Sequence, residues 1–130
     1  MDSGAMRRRL ALGAAVVAAS GALALAVPAT AQAATAGSCA GQEVRSLPFG
    51  DGVVHVYKRR GYVCAVTVAR QPGAKRVMSV SVQARGNRPV VDKGSYRYLA
   101  GPVTVHAGQR CVWVKGSVGR QSVSSGWILC

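Results

Sequence analysis

The stretch Val77-Met78-Ser79-Val80-Ser81-Val82-Gln83-Ala84-Arg85 decides the fold class. Met78, Val80, Val82 and Ala84 fall on one side of an extended chain, and Ser79, Ser81 and Gln83 on the other. Alternation held over this length is the pattern of a strand with one face buried and one in water. A helix would scatter the same residues around its circumference. Upstream, Val53-Val54-His55-Val56-Tyr57 ends at Lys58-Arg59-Arg60-Gly61. In the next run, Tyr62, Cys64, Val66 and Val68 oppose Val63, Ala65 and Thr67. Gln71-Pro72-Gly73 and Gly86-Asn87-Arg88-Pro89 supply turns, and residues 103–107, 111–115 and 122–129 complete the set. Short period-2 runs rich in Val, Tyr and Trp, with Gly or Pro turns about every ten residues, predict an all-β antiparallel sandwich or barrel. No later stretch carries an apolar stripe at helical spacing.

The N-terminal third reads differently. Arg7, Arg8 and Arg9 precede residues 10–27, an Ala-rich apolar run without a charge, and Pro28 breaks it. Ala31-Gln32-Ala33 and Ala34-Thr35-Ala36 are overlapping small-x-small cleavage patterns. This order is the anatomy of a secretory signal peptide at residues 1–33, leaving residues 34–130 as a single secreted β-domain. As a membrane anchor the run is barely long enough. It is also interrupted by Gly13, Ser20 and Gly21. The mature form is therefore expected to lack a transmembrane segment. The residues around the arginines fit the twin-arginine route poorly, so general secretion is the better match. Ala36-Gly37-Ser38-Cys39 lacks the residues that a lipidated cysteine requires, and Cys39 reads as structural.

Cys39, Cys64, Cys111 and Cys130 all follow the signal. An even count in a small exported chain predicts two disulfides. Zinc would need closely spaced ligand pairs, and no C-x-x-C occurs. Three pairings are possible, and spacing does not choose among them. The expectation is Cys39–Cys64 with Cys111–Cys130, each tying a terminal segment to a neighbouring strand. Loops of this size imply about 3 kcal/mol per bridge in a chain-entropy model.

Removing residues 1–33 takes away Arg7, Arg8, Arg9 and Asp2. What remains is 14 Lys/Arg against Glu43, Asp51 and Asp92, a formal net charge of +11. Such a field attracts polyanions. The basic residues cluster at turns, above all Lys58, Arg59 and Arg60, with Lys75 and Arg76 in the next turn, and these five are the candidate anion-binding residues.

Catalytic chemistry is poorly represented. His55 and His106 are each flanked by valine inside a strand run. A set such as Ser117, His106 and Asp92 can be written down, but no nucleophile elbow marks the serine. The three acids are scattered, which suits neither paired-carboxylate hydrolysis nor a calcium site. Gly116-Ser117-Val118-Gly119 lacks the length and lysine of a phosphate loop. Tyr57-Lys58-Arg59-Arg60-Gly61-Tyr62 and Tyr96-Arg97-Tyr98 mix aromatic and basic residues, yet tyrosines beside turns are ordinary hairpin packing residues. The expectation is a non-enzymatic monomer without cofactor, metal or specific nucleic-acid partner.

Several residues together carry a resemblance: Cys64-Ala65-Val66-Thr67-Val68, Met78, Asp92-Lys93-Gly94-Ser95-Tyr96-Arg97-Tyr98-Leu99-Ala100-Gly101-Pro102-Val103, Cys111-Val112 and Cys130. From residue 37 to residue 130 the chain resembles the spore-associated protein A family, small secreted proteins of streptomycetes and their relatives. The D-x-G-x-Y-x-x-x-A-G-P-V stretch is its most specific part. The resemblance implies an exported protein found with spores or aerial structures, and it brings no catalytic residues. This chain departs from it in its far more basic turns.

The leading expectation is a basic secreted protein bound by charge to anionic cell-wall or spore-surface polymers. Its competitors are a secreted protease inhibitor, a cationic antimicrobial domain and a small hydrolase. An inhibitor would show a protruding loop beside a disulfide, and a hydrolase a convergence of His106 with a serine and an acid. N-terminal sequencing of protein from culture supernatant is expected to begin between Ala34 and Gly37. A product that retains residues 10–27 contradicts the signal-peptide reading.

Overall fold

A computed structural model describes residues 38–130, and the expected signal peptide lies outside the described residues. Eight strands follow one another: β1 (Gln42–Phe49), β2 (Gly52–Arg59), β3 (Tyr62–Ala69), β4 (Arg76–Ala84), β5 (Val90–Tyr96), β6 (Leu99–His106), β7 (Val112–Val118) and β8 (Gln121–Ile128). They form two antiparallel four-stranded sheets, ordered β1-β2-β3-β6 and β5-β4-β7-β8. Of the two expected architectures, this is the sandwich.

The core is a layer of small β-branched side chains. Val54 and Val56 from β2, Val63 and Ala65 from β3, Met78, Val80 and Val82 from β4, and Val112, Val114 and Val118 from β7 are all at most 1 % exposed. These are the inward halves of the alternating runs; burial follows the period-2 pattern in β2, β4 and β7, whereas β3 is buried continuously from Val63 to Thr67. Met78 is the largest fully buried side chain. Where Gly116 faces the first sheet, a Cβ would run into Val54 Cγ2 and Thr67 Oγ1.

Two strands were not legible as strands, and both are edges. In β1 the inward residues Val44, Leu47 and Phe49 do not alternate. A β-bulge between Glu43 and Arg45 inserts the extra residue that brings Val44 and Leu47 onto one face. Pro48, which has no N–H to donate, is tolerated on such an edge. In β5 the inward positions are Asp92 and Gly94, opposite Val80 and Met78. A carboxylate and a glycine on the core side invert the usual polarity.

The inversion has a structural cause. Asp92 Oδ1 accepts the Tyr96 hydroxyl at 2.6 Å, and Asp92 Oδ2 accepts the Gly101 N–H at 2.7 Å. The Tyr96 ring reaches Asp92 by lying across Gly94, where an added Cβ would sit 3.0 Å from the ring. Gly101 lies at an irregularity in the β3–β6 ladder, between the pairs Ala65–Val103 and Thr67–Ala100. Its φ is +96°, and a Cβ there would sit 2.9 Å from Val80 Cγ1 and 3.0 Å from the Ala65 carbonyl oxygen, so glycine is required. The Asp92 carboxylate thus clasps edge strand β5 of one sheet to edge strand β6 of the other.

Both disulfides are present, and each stays within one sheet. Cys39, ahead of β1, reaches Cys64 on β3, with a Cα–Cα separation of 5.6 Å. Cys111, ahead of β7, joins Cys130, beyond β8, at 4.0 Å. This is the expected pairing of sequence neighbours, and no described cysteine is free. Two disulfides are the mark of an oxidising, extracellular-type compartment. Among the described residues no helix is long and apolar enough to cross a membrane.

Asp92→Ala leaves the Gly101 N–H without its acceptor and is expected to lower unfolding free energy by about 1–3 kcal/mol in urea titrations. Tyr96→Phe removes one hydrogen bond and leaves the Gly101 contact, so its cost is smaller than that of Asp92→Ala. The hydrogen bond to Asp92, then burial and the Asp92 charge, raise the Tyr96 phenol above its ordinary value of 10.0. Its contribution is therefore complete below pH 10 and lost as pH rises through the raised value. The stability gap between wild type and Tyr96→Phe should close above pH 10. A gap that stays constant there shows that the phenol proton is not involved.

Candidate anion-binding surface

Alternation of strand direction gathers the turns into two ends. Tyr62 pairs with His106, and Ala84 with Val112, so the β2–β3, β4–β5 and β6–β7 connections lie at one end. The N-terminal segment is there too, since Gln42 pairs with Lys58. The backbone knits these turns together: the N–H groups of Ala107 and Gly108 donate to the Gly61 carbonyl, and the Arg85 N–H to the Cys111 carbonyl, all at 2.9 Å. Lys58, Arg59, Arg60, Arg85, Arg88 and Arg110 therefore share one end of the sandwich.

The candidate residues from the sequence divide between the two ends. Lys58, Arg59 and Arg60 belong to this one. Lys75 and Arg76 lie at the opposite end, where Arg76 Nη2 donates to the Gln71 carbonyl at 2.9 Å. Arg97 Nη1 donates to the Gly73 carbonyl at 3.1 Å, so these arginines hold residues 70–75 in place. The five residues do not form one site.

At the first end the arginines also differ in duty. Arg110 is committed to backbone, donating from Nε to the Ala107 carbonyl and from Nη2 to the His106 carbonyl. Its Nη1 reaches the Arg85 carbonyl at 3.3 Å. The Arg85 guanidinium lies 5.2 Å from the Trp127 ring centroid, a cation–π distance. Among the described residues, Lys58, Arg59, Arg60 and Arg88 make no side-chain hydrogen bond or ion pair. Arg59 and Arg60 wall a hollow of about 220 Å³, completed by Ala40, Tyr62, Cys64 and Thr104, with the Cys39–Cys64 bridge beside it.

Arg60 occupies the tip of a two-residue hairpin turn with φ +50°, followed by Gly61 at +83°. Asn or Gly is the usual occupant of that first position. An arginine held there costs about 1 kcal/mol or more of backbone strain.

Among the described residues no carboxylate is paired with a cation of this end. Glu43 Oε2 is hydrogen-bonded to His55 Nδ1 at 2.7 Å, and both Asp92 oxygens are occupied by Tyr96 and Gly101. Among the described residues no Lys or Arg is paired with an acidic side chain.

The Ser117, His106 and Asp92 set is dispersed. Ser117 Oγ pairs with Ser79 Oγ at 2.6 Å on the outer face of the second sheet. His106 packs edge-on to Tyr62 at the basic end, with centroids 4.8 Å apart. Asp92 is in the clasp. Among the described residues no long loop flanks either bridge: the β2–β3 turn is tight, and Arg110 pins residues 107–111. Arg85, Arg88 and Arg110 were not among the five candidate anion-binding residues. Each is an isolated cation beside a turn, and only the strand order brings the three together. Compared with known proteins, the chain matches no family model, no curated protein and no solved structure.

Proposed function

We propose that this chain is a non-enzymatic extracellular protein that attaches to anionic polymers of a spore or cell envelope through its basic end. The observation that carries this reading is the absence of any acidic partner for Lys58, Arg59, Arg60 and Arg88 among the described residues. Cations left unpaired at the rim of a folded domain favour an anionic surface. Export is supported by the charge, apolar run and cleavage pattern of residues 1–33 and by the two disulfides. Association with spores is supported by the family resemblance of residues 37–130. Among the described residues the inhibitor reading lacks its protruding loop, and the hydrolase reading lacks its convergent residues.

Exposed contacts between a cation and an anionic group are worth about 0.2–1 kcal/mol each and are screened by salt. The mature protein is therefore expected to bind purified wall or spore material, or a polyacrylate resin, at low ionic strength. Salt alone should release it. Replacing Lys58, Arg59 and Arg60 by Gln removes three such contacts and should weaken binding about tenfold, visible as elution at lower salt. Lys75→Gln at the other end should shift elution less. Retention in high salt contradicts an electrostatic attachment, and equal shifts from both ends contradict the choice of end. Leakage of dye from anionic vesicles would instead favour the antimicrobial reading.

A further inference from the structure

The outer face of the second sheet carries a groove that the charge argument does not use. Its floor is β4, whose outward residues Ser79, Ser81 and Gln83 are short or polar. One wall is Pro89 with Val91 and Lys93 of β5, and the other is Trp113 and Lys115 of β7. The registers align them in rows: Lys93–Ser79–Ser117, Val91–Ser81–Lys115 and Gln83–Trp113–Trp127. Small floor residues between taller walls leave a void of about 270 Å³. The walls stand two strand spacings apart, roughly 10 Å, and the floor from Ser79 to Gln83 runs roughly 13 Å.

The chemistry narrows the occupant. β4 is bonded on both sides, to β5 and β7, so its backbone has no ladder positions left and a peptide cannot add as a strand. The floor is hydroxylic, which disfavours an apolar ligand. Lys93 and Lys115 line opposite walls, and among the described residues no acidic side chain lines the groove. Trp113 is fixed: its Nε1 donates to Ser124 Oγ at 2.6 Å, and its ring meets Trp127 edge-on with centroids 5.2 Å apart. Arg85 holds the other member of that pair. An aromatic wall already ordered loses little freedom on binding. Hydroxyls, one rigid indole and two unpaired ammonium groups together suit a sugar chain that carries acidic groups. Nucleic acid would call for several free aromatic surfaces along the track.

We propose that the groove over β4 binds an anionic polysaccharide, with Lys93 and Lys115 holding its acidic groups, Ser81 on the floor and Trp113 as the wall for a sugar ring. This takes from the preceding reading only the exposure to extracellular polymers, because it uses none of the residues of the basic end.

The test uses the mature secreted protein and galacturonate oligosaccharides, with a neutral dextran oligosaccharide, polyacrylate and single-stranded DNA as controls, read by tryptophan fluorescence. Galacturonate is expected to bind and shift the emission at a salt concentration that releases the protein from polyacrylate. Ser81→Leu, which fills the floor without altering charge, should weaken this binding about tenfold and leave polyacrylate elution unchanged. A combined Lys93→Gln and Lys115→Gln variant should lose a comparable amount. Unaltered galacturonate binding in both variants overturns the groove. So does an equal emission shift, equally sensitive to Ser81→Leu, with polyacrylate or DNA. If wild type fails to bind polyacrylate at any salt yet still binds galacturonate through Ser81, the basic-end reading falls and the groove stands.

Discussion

What joins the two sheets is the buried layer of valines, because neither disulfide crosses between them. Each bridge reinforces one sheet, so the sandwich as a whole depends on apolar surface withdrawn from water. The small size of the side chains sets how close the sheets come. At Gly116 they meet without room for a methyl group between Val54 and Thr67. Thr67 belongs to that layer by shape alone, since its Oγ1 is buried without a hydrogen-bond partner. A buried hydroxyl in this condition costs about 1–3 kcal/mol.

Dependence on a thin core explains the clasp. A sandwich of open sheets has edges where apolar layers meet water and strand polar groups lack partners. β5 and β6 form such a pair, and Asp92 converts the rim into a hydrogen-bonded seam by accepting from both strands. A charged acceptor is stronger than a neutral one, which suits a position where little apolar area is available.

The same feature marks where sequence reading stops. β4 was legible residue by residue because a sheet partner on each side and a core beneath force strict alternation. β1 was not, because its bulge breaks the period that alternation depends on. β5 was not, because Asp92, Lys93 and Gly94 carry turn-like chemistry, and their place in a strand is fixed by partners in β4 and β6 distant in sequence. Charge behaved likewise. That the cations sit at turns is local information, whereas the joining of Arg60, Arg88 and Arg110 at one end follows only from the up-and-down order of all the intervening strands. The separation of Lys75 and Arg76 from Lys58, Arg59 and Arg60 has the same origin.

This bears on what a sequence signature can tell about function. In the stretch from Asp92 to Val103, Asp92 binds Tyr96 and Gly101, Gly94 makes room for the Tyr96 ring, Ala100 is fully buried and Gly101 supplies a backbone shape other residues resist. Those side chains are spent on one another, and none is left to meet a ligand. Residues engaged in this way build the architecture and are silent about a partner. The side chains with chemistry still to offer are outside the signature or alternate with it: the unpaired cations of the basic end, the serines of β4, Trp113, Lys115, and Lys93, which points outward between Asp92 and Gly94. Exchanging those outward side chains would leave both the clasp and the valine layer intact.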